Sequence, residues 1–158
     1  MKTKHTIIIL IIVAGIAITA AFFGMRGKET VPVFDVFFGS TPLGSGEDCV
    51  SVFPLRRETS DRDNLPVSAL ASLLKGPTQE EKDAGYFTSI NSGVSIKSFR
   101  VENTVAFVDF DSEVEREIGG SCRVSAIRSQ IGKTLEQFPE IDGVVISVEG
   151  RTEDILQP

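Results

Sequence analysis

Histidine and tryptophan are almost missing from this chain: its 158 residues include one His, His5, and no Trp. Cysteine and tyrosine are nearly as scarce, with only Cys49, Cys122 and Tyr86. Each scarcity removes a chemistry. His5 sits beside an N-terminal apolar run, so the rest of the chain has no histidine for a Ser-His-Asp triad or a zinc site. The two cysteines form no C-x-x-C pair, which argues against redox catalysis. Without Trp, the usual aromatic platform for stacking sugars is lacking. Positive charge is also short. Residues 1–29 take four of the 16 basic residues and one of the 22 acids, leaving 12 and 21, a net of −9. Such a domain has no electrostatic footprint for nucleic acid and is repelled by anionic polymers.

What the chain does have, first, is an apolar segment. Thr6 to Phe23 is nearly all Ile, Val, Ala and Leu, and extended to Met25 it approaches the ~20 apolar residues that span a bilayer. The unbroken run through Phe22-Phe23 and the basic flank of Arg26 and Lys28 read as an uncleaved single-pass anchor. The competing reading is a signal peptide cut near Thr19-Ala20-Ala21, which would release the domain. No cysteine follows the run, so a bacterial lipid anchor at this point is excluded. The expected organisation is an anchor and short linker over residues 1–29, then one domain over 30–158.

The best-punctuated stretch is Leu73 to Lys82, L-L-K-G-P-T-Q-E-E-K. Leu70, Leu73 and Leu74 have helical spacing, Gly76 supplies the left-handed residue that ends a helix, and Pro77 forbids continuation. Thr78 with Glu81 forms a capping box that opens a second, short helix. Around this corner, Val31–Phe38 and Cys49–Leu55 read as strands, and Pro66 suits the first turn of the first helix. Tyr86-Phe87 is expected to drop into the core, and Val94–Phe110 reads as a hairpin turning at Glu102-Asn103. Val124, Ile127, Ile131, Leu135 and Phe138 make an apolar stripe on a last helix that Pro139 stops. The continuous run Val144–Val148 predicts a strand buried on both faces or central in its sheet. The order ββααββαβ predicts an α+β, two-layer sandwich, a mixed β-sheet with helices mainly on one face.

Several fragments imitate catalytic motifs and fail on a physical requirement. Gly132-Lys133-Thr134 ends like a phosphate loop, but Ile127 stands where the loop needs glycine, inside an amphipathic helix. Ser72 and Lys75 match S-x-x-K without the K-T-G element, and suit the solvated face of the first helix. Asp109, Asp111 and Glu113 alternate like a calcium loop, yet Val114 and Gly120 occupy the positions that need glycine and glutamate. Asp111 or Ser112 capping the turn that follows is the better reading. No metal, cofactor or catalytic residue is assigned.

The GPTQEEK corner, the V-D-F strand end at Val108–Phe110, the Gln137-Phe138-Pro139 helix end and the final V-V-I-S-V-E-G-R together resemble the GerMN domain, a sporulation and spore-germination module of bacterial envelope proteins. The likeness covers roughly Val33 to Arg151. It implies a non-catalytic extracytoplasmic scaffold whose partners are other envelope proteins or further copies of itself. One copy and no lipid-anchor cysteine distinguish this chain from the best-known sporulation members. In such a compartment Cys49 and Cys122 are compatible with one disulfide, worth on the order of 4 kcal/mol in the loop-entropy model, or with two buried thiols. Docking by complementary charge would use Arg56, Arg57 and Arg62 against Glu102, Asp109, Asp111 and Glu113. The alternatives are a peptidoglycan- or peptide-binding module regulating a wall enzyme, with weak wall-polymer contact, and a small hydrolase using acidic residues.

Overall fold

The computed structural model describes residues 31–44 and 48–157. The apolar run of residues 6–25 lies outside them, and among the described residues no helix is long and apolar enough to cross a membrane.

The chain runs β1 (Val33–Ser40), β2 (Phe53–Glu58), α1 (Leu65–Leu74), α2 (Gln79–Asp83), β3 (Tyr86–Phe87), β4 (Ile96–Glu102), β5 (Val105–Phe110), a 3-10 turn (Ser112–Glu115), α3 (Ser121–Leu135) and β6 (Gly143–Val148). The fold is α+β. Its strands divide between two three-stranded sheets, β2-β1-β3 and β4-β5-β6. The first is antiparallel; the second is mixed, with β5 antiparallel to β4 and parallel to β6.

Apolar periodicity builds the core. Phe34, Val36 and Phe38 alternate on β1 and are buried, as are Ala69, Leu70 and Leu73 of α1. The stripe Val124, Ile127, Ile131 and Leu135 buries one face of α3, and Phe138 follows it inward. Helices α1 and α3 pack on each other and on β1.

A polar stripe on α3 and the turn just after it solves a problem that β1 creates. One side of β1 is bonded to β2 from Val33 to Phe38, but β3 covers only Gly39 and Ser40 on the other. Asp35 and Phe37 would be left with bare amides in a partly buried setting, which costs more than a hydrogen bond gains. Gln137 and Thr134 fill the gap. Gln137 Oε1 accepts from Asp35 N at 2.8 Å, its Nε2 donates to Asp35 O at 2.7 Å, and Thr134 Oγ1 accepts from Phe37 N at 3.1 Å. The glutamine amide therefore pairs with Asp35 as a neighbouring strand residue would.

The corner after α1 is closed as its sequence implies. Gly76 has φ +76°, Thr78 Oγ1 accepts from Glu81 N, and Glu81 Oε2 accepts from Thr78 N at 2.8 Å. Glu81 also anchors β2, because Arg57 of that strand grips both its oxygens at 2.6 and 2.7 Å. Arg57 thus belongs to a strand and is largely covered, in contrast to the docking role expected of it. Burial works to raise the Glu81 pKa, but the Arg57 bonds, the Thr78 amide and the Arg57 charge outweigh it and hold the carboxyl below its ordinary 4.5.

Other expectations shift. The hairpin turns at Asn103-Thr104, both at positive φ, one residue later than expected, because Glu102 still pairs with Val105. Phe87 is 48% exposed, since its two-residue strand lies at a sheet edge. β6 is an edge strand whose one strand neighbour is β5, with a bridge from Val148 to Arg151 at its end; its apolar run reflects packing of Ile146 and Val148 into the core rather than a central place. Ile155 and Leu156, beyond β6, are buried, and Leu156 N donates to Glu115 Oε1. Cys49 and Cys122 form a disulfide, with Cα atoms 5.1 Å apart, that ties the segment before β2 to the first turn of α3.

Three outcomes are expected. Gln137→Leu should lower unfolding free energy by about 2 kcal/mol in urea titration, and Thr78→Ala by about 1 kcal/mol. A carboxyl whose pKa falls on folding contributes stability above its ordinary value and loses it as pH drops through the folded value. The urea midpoint should therefore fall below about pH 4.5, and Glu81→Gln should flatten that fall. Alkylation of the native protein without reductant should label no thiol, and after reduction two.

Candidate functional site

A cavity of about 510 Å³ opens where the end of β1, residues 48–52, β3 and the N-terminus of α3 meet. This volume is in the range of small-ligand sites. Its apolar wall is Phe87, Val52, Ala126 and the disulfide of Cys49 and Cys122. Phe87 can lie there because its cross-strand partner is Gly39: a Cβ on Gly39 would sit 2.5 Å from the ring. Leu43 and Val50, both exposed, are chain neighbours of the lining residues Gly44, Cys49 and Ser51.

The polar wall extends the α3 stripe. Gln130, Thr134 and Gln137 recur at helical spacing toward β1. Gln130 is fully buried; its Oε1 accepts from Thr88 Oγ1 at 3.0 Å and Ser89 N at 3.4 Å. Its Nε2 has no hydrogen-bond partner among the described residues, and neither does Oγ of buried Ser40; both residues line the cavity. At the start of α3, Gly120 provides no side-chain cap and the first turn has no acid. Arg123 is pinned there by neutral acceptors: Ser89 O, Glu117 O and Asn91 Oδ1. Asp48 also lines the cavity, its carboxyl pKa lowered by the Ser51 hydroxyl and the Val50 amide.

The residues expected to form a charged docking surface are scattered and mostly engaged. Arg56 is exposed and reaches Asp35 at 3.3 Å, whereas Arg57 is committed to Glu81; Arg62 lies on the exposed loop before α1. Asp109 accepts from Ser147 Oγ at 2.6 Å and Gly150 N at 2.8 Å, bonds that lower its pKa and fasten the turn after β6. Asp111 does not cap the following turn; its Oδ2 accepts from Ser95 N and closes the base of the hairpin. Glu113 bonds Arg116, and Glu102 bonds Arg100. Among the described residues no group of three or more His, Cys, Asp or Glu side chains is arranged to hold a metal ion. Ser72 is half-buried and Lys75 exposed at the end of α1, and Thr134 of the false phosphate loop is buried against β1. The cavity was not foreseen from sequence. Its one sequence signal is Gln130, a polar residue next to the apolar position Ile131 and in line with Thr134 and Gln137.

The family model Germane, described as "Sporulation and spore germination", matches residues 37–154. Among curated proteins none matches by sequence. The chain is similar in fold to the first GerMN domain of the sporulation protein GerM from Bacillus subtilis: TM-score 0.58 and 17% identity, over 77% of this chain and 85% of that one. It is also similar to the tandem GerMN domains of the same protein, at TM-score 0.58 and 13% identity, over 78% of this chain and 41% of that one. The match from β1 to beyond β6 shows that this chain belongs to the GerMN family, the sporulation and spore germination domains.

Proposed function

We propose that the chain is a non-catalytic interaction domain of the bacterial envelope, held outside the cytoplasm by one membrane span over residues 6–25. Its partners are other envelope proteins or further copies of itself. The observation that carries this reading is the outer edge of β6. The edges of β2 and β4 have the features that discourage strand addition: Pro54, Arg56 and Arg57 on β2, and charged Lys97, Arg100 and Glu102 with a register shift on β4. β6, Gly-Val-Val-Ile-Ser-Val, has neither charge nor proline, and apart from the bridge of Val148 to Arg151 at its end it is bonded on one side only. A strand of a partner can extend the second sheet there, with main-chain bonds giving affinity. The resemblance to GerMN domains and the apolar N-terminal run support the envelope location.

Two measurements test this. In-cell crosslinking of the full chain should capture a defined partner, and Val145→Lys, which puts a charge on the β6 edge, should reduce capture at least several-fold without unfolding the domain. Undiminished capture would remove β6 from the interface. A reporter active only outside the cytoplasm, fused after Pro158, should be active; activity of a cytoplasmic reporter in its place would reverse the topology.

A further inference from the structure

We infer that the cavity beside α3 is a binding site for a small monocarboxylate with an apolar body, as presented by the free C-terminal residue of a peptide. This inference is independent of the β6 reading and concerns different elements, since no residue of β6 lines the cavity. Four features converge on it. Gln130 Nε2 is a buried donor with no partner among the described residues, at the end of a stripe whose other two members are fully used. Ser40 Oγ is a second unsatisfied buried group lining the same space. The first turn of α3 adds amides that no side chain caps, at the positive end of a 15-residue helix. Arg123 adds a cation whose hydrogen-bond acceptors are two carbonyls and an amide, none of which neutralises it.

Donors and positive potential outnumber acceptors, so the group that fits is a compact set of acceptor oxygens with one negative charge. Asp48, also in the lining, opposes a second anionic group, which disfavours phosphomonoesters and dicarboxylates. The rest of the wall is Phe87, Val52, Ala126 and the disulfide, which suits an aliphatic or aromatic side chain.

The test is titration calorimetry of the full chain in detergent micelles with N-acetyl-leucine, N-acetyl-leucinamide and acetate. N-acetyl-leucine should bind saturably, with the amide and acetate each weaker by about tenfold or more, since a charge-assisted bond is about twice as strong as a neutral one. Ala126→Leu, which fills the cavity from α3, should abolish the saturable heat, and this variant in the same micelles controls for partition into detergent. Gln130→Met should reduce the preference for N-acetyl-leucine over its amide. No saturable binding, equal binding of the amide, or binding unchanged in Ala126→Leu would each overturn the assignment.

Discussion

The side of β1 that β3 leaves uncovered is the constraint on which the domain is built. A central strand with a two-residue neighbour would expose the amides of Asp35 and Phe37 to a partly buried setting that offers no strand to pair with. The chain meets this by laying a helix there and giving it polar side chains at helical spacing. Gln137 and Thr134 supply what a strand would, while Ile131, Leu135 and Phe138 bury the apolar stripe beside them. The position of α3 is thereby fixed relative to β1 by directional bonds as well as by packing. That placement in turn leaves Gln130 facing the short end of the gap, where the cavity forms.

Several charges in this domain join elements to one another. Glu81 joins the capping box of α2 to Arg57 on β2, Asp109 fastens the turn after β6, Asp111 closes the hairpin base, and Glu115 holds Arg151 and the Leu156 amide. These acids act as staples between elements distant in sequence.

The punctuation of the fold was legible in the sequence. Gly76-Pro77-Thr78 with Glu81, the stripe of α3 and the α+β class follow from local rules, because caps and periodicity are encoded within a few residues. What was not legible depends on pairing across the chain. Phe87 looks like a core residue until its strand proves two residues long, and Val144–Val148 looks central until its neighbours are counted. The buried tail at Ile155 and Leu156 has no periodic signature. Arg57 reads as a surface charge because its partner, Glu81, is 24 residues away. The cavity was invisible for the same reason: its walls come from separate segments of the chain, and only unsatisfied groups in the folded protein mark it.

The claim that side chains of α3 and the turn after it complete β1 is tested most directly by amide hydrogen exchange at Asp35 and Phe37 in the native protein. Protection comparable to that of the β1 amides bonded to β2 is the predicted result, since both groups are held by Gln137 and Thr134. Exchange at those two amides as fast as on the open edge of β4 would contradict it, and would show that the helix merely packs beside the strand.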